Sequence, residues 1–312
     1  MENQGVLGKM HPSVKLLFTV FVSLIGAFVF IVAGTLLLLP FSTSDAMDIL
    51  SGSTSLGDPD NLGIARYMQI LSHLGMFIVP SVVLAYWFGR NISGYLYLKT
   101  LPSRWVYLLS ALLIFAVVPF INFIYEWNMQ MHFPEGWEGL ENWMRRSEEN
   151  AEQITHMFLD VQTVGGLLFN LFMIALIPSI GEELMFRGVL LRIFHQWTSS
   201  THIAVWVTAI LFSVIHLQFF GFLPRMILGV LFGYLVVITG SLWPAMIAHF
   251  VNNGAAVLFY YIYGRELSEN AFENLGKGTT GIYYALVSVL ITVLIFVFIK
   301  KKTKNKLKLQ SE

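Results

Sequence analysis

The sequence predicts an all-α, polytopic membrane protein of about eight transmembrane helices. Composition, run length and the placement of charge carry this expectation. Of 312 residues, 56% are hydrophobic and 12% are charged, and the mean hydropathy is +0.67, values few soluble proteins share. Several apolar runs reach the ~20 residues that a helix needs to cross ~30 Å of hydrocarbon. Helices are the expected solution because backbone polar groups in lipid must be satisfied within each segment.

The spans are placed, in order, at roughly 16–40, 67–88, 105–125, 163–195, 202–220, 223–239, 242–262 and 281–299. The first, Leu16 to Pro40, is too long for a cleavable signal core of ~7–15 residues. The connection 41–66 holds Asp45, Asp48, Asp58 and Asp60 against Arg66, whereas 89–104 carries Arg90, Lys99 and Arg104 with no acid. The connection 126–160 holds eight acids against Arg145 and Arg146, and its Trp127, Trp137 and Trp143 suit a membrane interface or a solvated loop. The tail from Lys300 carries six lysines and one acid, Glu312. Every Lys/Arg-rich segment falls on one side if both termini are cytoplasmic and the number of spans is even, which supports eight.

The zero net charge is a sum over two unlike faces and says nothing about partners. The basic tail reads as an anchor at an anionic leaflet, so membrane lipid is an expected partner and nucleic acid is not. With no cysteine, disulfides, thiol catalysis and thiolate metal sites are excluded. One integrated membrane domain is expected, with three N-terminal spans and acidic outer loops in 1–162, a core in 163–262, and a last span with its tail in 263–312.

Ionisable groups inside spans are costly and usually face protein or a wet cavity. Here they form three groups. Gly165 to Ile180 has no charge, and then "GEELMFRGVL" (181–190) places Glu182, Glu183 and Arg187 in the fourth span. His216 follows Phe212 by four residues in the fifth, and Asn253 follows His249 by four in the seventh. Residues at i and i+4 share a helix face. With a tight turn near Thr198 to Thr201, Glu182 and His216 both lie about 25 Å from it at 1.5 Å per residue. The next hairpin places His216 about 9 Å and His249 about 12 Å below the outer turn near Phe222. The three groups converge in depth.

Glu183 and Arg187 form an i, i+4 ion pair in the favourable order, and Glu183 reads as an orienter or second carboxylate. Glu182 projects about 100° away with no partner on its own helix, which suits a general base that activates water. A carboxylate with His216 can hold and polarise that water, and His249 and Asn253 can donate to the oxyanion of a tetrahedral intermediate. Glu182, His216 and His249 also offer a plausible first shell for catalytic zinc; the residues do not choose between a metal-bound water and one held by Glu and His. A proton or ion relay is the rival use of such a cluster. Pro178 and Gly181 hint at an interrupted transporter helix, but no second interrupted span and no repeat is legible. A non-catalytic scaffold or immunity protein is the other rival, though none of the polar residues is missing.

"EELMFR", "FSVIH" and "HFVNN" resemble the three motifs of the CPBP intramembrane proteases, E-E-x-x-x-R, F-x-x-x-H and H-x-x-x-N, in that order. This family, also called Abi, includes the type II CAAX prenyl endopeptidases and bacteriocin-processing and immunity homologues. The resemblance covers about 163–262. It implies an eight-helix fold around a hydrophilic, conical intramembrane cavity open to cytoplasm and lipid. It also implies hydrolysis of a peptide bond in a membrane-anchored or lipidated substrate; the prenyl-processing branch removes a C-terminal tripeptide after a lipidated cysteine. By the same resemblance Glu182 is the base, His216 its partner, and His249 and Asn253 the oxyanion donors. It leaves a zinc-dependent and a metal-free glutamate mechanism both open.

Overall fold

Each expected apolar run forms a helix in the computed structural model, which describes residues 5–52, 57–131, 133–273, 276–278 and 280–303. In chain order the helices are α1 (Pro12–Leu38), α2 (Thr43–Ser51), α3 (Pro59–Gly89), α4 (Arg104–Met129), α5 (Glu138–Leu159), α6 (Val164–Thr198), α7 (Thr201–Val214), α8 (Phe222–Thr239), α9 (Trp243–Glu273) and α10 (Gly281–Lys302). A single turn of helix, Ile92–Tyr95, follows α3, and no strand occurs among the described residues. Among the described residues seven helices are long and apolar enough to cross a membrane: α1, α3, α4, α6, α8, α10 and the Trp243–Gly264 part of α9. The chain is an integral membrane protein.

Two expectations change. The fifth span was placed over 202–220, but α7 has only 14 residues, about 21 Å, and stops at Val214. The chain then turns through Leu217, whose φ is 53°, before α8 begins at Phe222. Among the described residues the apolar helices are therefore seven long ones and one short one. The acidic connection 126–160 contains a 22-residue helix, α5. The lysine tail beyond Thr303 lies outside the described residues.

Two prolines shape the helices that matter most. Proline lacks an N–H and crowds the carbonyl four residues back, so a helix containing it must loosen. In α3 the five residues Leu74–Ile78 widen to a π-type turn just before Pro80. In α6 the six residues Leu171–Leu176 do the same just before Pro178. A third widened stretch, Leu184–Leu190, follows directly on Glu183. Neither helix unwinds, so α6 does not offer the free half-helix ends of a transporter site. The widening in α3 was not read from the sequence.

Close packing sets the register. A Cβ on Gly75 of α3 would lie 2.6 Å from the Gly26 carbonyl of α1, and one on Gly181 of α6 would lie 3.0–3.1 Å from Ile78 and Phe77 of α3. Small residues let helix backbones approach in this way, and here they hold α3 between α1 and α6. On the other side, Pro119 interrupts α4, and Ser288 of α10 fills the gap: its hydroxyl donates to the Ala116 carbonyl (2.6 Å) and accepts from the Phe120 N–H (3.3 Å).

Helix α5 packs across the turn between α7 and α8. Ser147 donates to the Leu217 carbonyl (2.9 Å), and Glu148 accepts from the Phe220 N–H (3.0 Å). Trp143 packs on Phe219, with Arg145 over the Phe220 ring. Asn128 of α4 holds the same turn from the other side, donating to the Phe219 carbonyl and accepting from the Leu223 N–H, each at 3.2 Å.

Candidate active site

Every residue from Gly181 to Leu191 is buried. Charges in such a stretch persist only if neighbours neutralise them. Arg187 and Glu183, both fully buried, form the expected ion pair at 2.8 Å. The pair reaches beyond its own helix. Arg187 also donates to the Gly229 carbonyl of α8 at 2.9 Å, and its guanidinium lies over the rings of Phe212 and Phe232. Gly229 lets α8 come close, since a Cβ there would sit 3.3 Å from the guanidinium and 3.0 Å from Ala209.

The same Glu183 Oε1 that Arg187 holds is 3.0 Å from His249 Nδ1. A carboxylate paired to arginine only accepts, so Nδ1 carries the proton. The other ring nitrogen, Nε2, faces Glu182 Oε2 at 3.8 Å. The imidazole stacks on Phe232, with centroids 5.2 Å apart, and meets Phe212 edge-on. Glu183 therefore links Arg187 on one side to the orientation of His249 on the other.

Glu182 finds a partner on a different helix. Its Oε1 lies 3.3 Å from Nε2 of His73 on α3. Sequence reasoning missed His73. The available signal was Gln69 one helical turn earlier, which contacts His73 Nδ1 at 3.3 Å and makes a polar face on an otherwise apolar span.

His216 lies in the turn after α7 and not inside a span. Its Nδ1 donates to the Phe212 carbonyl at 2.7 Å, leaving Nε2 free. Its ring packs edge-on against Phe212, the ring that also touches His249. The fields of Glu182 and Arg225 both reach His216. Asn253 donates from Nδ2 to the Ile174 carbonyl at 3.0 Å. Pro178 explains that bond, because the helical partner of Ile174 would have been the N–H that proline lacks. The structure thus links Arg187, Glu183 and His249 by direct contacts, brings Glu182 to 3.8 Å from His249, sets His216 against the Phe212 ring that His249 also meets, and places Asn253 one turn along α9 from His249. A cavity of about 640 Å³ opens between α5 and α9, lined by His156, Asp160, Tyr260 and Tyr263. It contains none of the six expected residues.

Compared with protein families, residues 164–255 match the model described as type II CAAX prenyl endopeptidase Rce1-like. Comparisons with curated proteins and with solved structures each return no match. The Rce1-like stretch runs from the start of α6 into α9 and includes all six expected residues, whereas His73 lies outside it.

Among the described residues no group of three or more His, Asp or Glu side chains is arranged to hold a metal ion. Zinc takes Nε2 or Nδ1 at about 2.0–2.1 Å. Here Nδ1 of His249 is committed to Glu183, and Nε2 of His73 lies at hydrogen-bonding distance from Glu182. The described residues thus form no such group around Glu182, His216 and His249, and no step is derived through a metal.

Proposed function

We propose that the protein is an intramembrane endopeptidase that hydrolyses a peptide bond of a membrane-associated protein or peptide, with Glu182 as the base. The carrying observation is the position of Glu182: a buried carboxylate in a spanning helix of the Rce1-like stretch, with imidazoles on both of its oxygens.

In this reading a water held by Glu182 Oε2 and His216 Nε2 attacks the scissile carbonyl. Glu182 takes the proton and passes it to the leaving amine, so one carboxylate serves as base and then acid. The oxyanion forms toward His249 Nε2 and the remaining N–H of Asn253. Donors fixed before reaction in a dry site supply several kcal/mol of transition-state stabilisation. Glu183 holds His249 for this role through Nδ1. Glu183 and Arg187 do not touch substrate; they hold the imidazole. A lipidated, CAAX-type substrate and termini on the cytoplasmic side belong to the same proposal. The family description supports the first and the basic 89–104 and Lys300–Lys302 segments support the second.

The test is cleavage of membrane-anchored peptides, prenylated and unprenylated, by the full chain in lipid nanodiscs, with and without a chelator. Turnover by wild type, with none by Glu182→Ala or His216→Ala, is expected; its loss with the chelator assigns a metal-bound water, and its persistence a water held by Glu182 and His216. Equal turnover of a confirmed substrate by wild type and Glu182→Ala overturns the reading. A requirement for the prenyl chain assigns prenyl-protein processing, and indifference to it overturns that narrower assignment.

A further inference from the structure

Glu182 has two oxygens with different surroundings, and one of them is set by a helix outside the Rce1-like stretch. Oε1 meets His73 Nε2 at 3.3 Å, and Oε2 faces His249 Nε2 at 3.8 Å. The longer distance is beyond an ordinary hydrogen bond, whereas the shorter one lies just past the usual range.

The proton on His73 can be placed. Its Nδ1 lies 3.2 Å from the Gln69 backbone carbonyl and 3.3 Å from the Gln69 side-chain nitrogen. If the ring is neutral and Nδ1 accepts from the Gln69 amide, Nε2 carries the proton. If the ring is an imidazolium donating from Nδ1 to the carbonyl, Nε2 is protonated again. A neutral ring protonated at Nδ1 would also suit the Gln69 carbonyl, but it would set the bare Nε2 against an ionised carboxylate, which only accepts; the states that suit both neighbours make Nε2 a donor to Glu182 Oε1. That hydrogen bond occupies Oε1 and turns Oε2 toward His249.

The approach that permits this contact is built into three glycines. Gly181, immediately before Glu182, faces Phe77 and Ile78 of α3, with His73 one turn earlier. Gly75 and Gly26 close the opposite side of α3 against α1. The His73 ring also packs on Phe77, with centroids 5.4 Å apart, so its plane is held by the residue that Gly181 admits. A histidine on an apolar span can serve only to join two helices. The geometry here does more, since the acceptor is the carboxylate assigned as base.

We infer that His73 is a positioning residue for Glu182, fixing the carboxylate through Oε1 so that Oε2 is the oxygen that takes the proton from water. The inference rests on the endopeptidase reading above. It adds a residue from α3 to a site otherwise drawn from α6 to α9.

The test compares wild type, His73→Ala, His73→Gln and Glu182→Ala, full chain in nanodiscs, against a fluorogenic membrane-anchored peptide. Misplacing a reacting group by about 1 Å can cost about 10²-fold. His73→Ala is expected to lower kcat by that order with KM within about twofold. His73→Gln, which keeps a donor, recovers part of the loss. A His73→Ala enzyme with wild-type kcat overturns the inference, as does equal loss in both variants with a matching fall in melting temperature. A fully active Glu182→Ala overturns the endopeptidase reading itself, which separates the two failures. A readout free of turnover is nitrogen NMR of labelled histidine. His73 is expected to carry a proton on Nε2 whose resonance moves in Glu182→Ala; an unprotonated Nε2 in wild type sinks the inference.

Discussion

The Rce1-like stretch and the helices that flank it treat burial differently. In their most apolar windows α6 and α8 are 39% and 44% buried within the protein, against 11% for α1 and 22% for α4 and α10. Helix α3 breaks the pattern: at 33% it equals α9, although it lies outside the matched residues. Membership of the packed centre therefore follows contact with α6, and α3 qualifies because glycines on both of its sides let it close in. The lesson is that the motif-bearing residues and the site are not the same set.

The largest effect that would sharpen this comparison is at Arg187. Arg187→Ala leaves Glu183 buried with its principal countercharge gone, a loss of about 3–5 kcal/mol, read as a large fall in melting temperature together with loss of activity. Lys15, a buried cation of α1 bonded to Gln196 at 3.0 Å, supplies the contrast. Lys15→Met removes a cation whose partner is a neutral amide, and the expected change is within about 1.5 kcal/mol. Comparable losses at both positions would break the distinction between the two regions.

Gly181→Ala comes next. The added methyl must push Phe77 and Ile78 outward, and overpacking of this kind costs about 1–3 kcal/mol. Because the same shift draws His73 away from Glu182, kcat is expected to fall by about tenfold, consistent with the sensitivity of catalysis to small displacements. A stability loss with unchanged kcat would uncouple α3 from the site.

A smaller, pH-dependent effect lies outside the membrane. Burial pushes the Glu148 carboxyl above the ordinary glutamate range, against the lowering effects of the Phe220 N–H and Arg225. A group raised on folding binds its proton more tightly in the folded state. Its contribution to stability is therefore complete below the ordinary glutamate range and lost as pH rises through the raised value. In Glu148→Gln that fall in melting temperature with rising pH is expected to flatten. An unchanged profile would show that α5 does not bury this group. The smallest expected effect is Leu24→Ala on exposed α1, within about 0.5 kcal/mol.

Much of this was legible in the sequence. Long apolar runs gave the spans because lipid leaves helices few alternatives. Glu183 and Arg187 were paired from their four-residue spacing, which is a local property. The missing parts depend on distance. His73 and Glu182 are 109 residues apart in the chain, and nothing local to His73 specifies a carboxylate. Helix α5 escaped because hydropathy tracks lipid contact, and a polar helix outside the bilayer resembles a loop on that measure. The end of α7 at Val214 was hidden because Ile215 to Phe222 is almost as apolar as the helix before it. Asn253 was expected as an oxyanion donor, yet one of its two amide hydrogens is taken by a carbonyl that Pro178 sets free.

The most direct measurement is the single-turnover rate of Glu182→Gln on a membrane-anchored peptide that wild type cleaves. The substitution keeps the shape of the side chain and leaves Glu183, Arg187 and His249 in place. A loss of about 10³-fold with the melting temperature and peptide affinity unchanged is the predicted result. A rate within tenfold of wild type would contradict the assignment of Glu182 as the base.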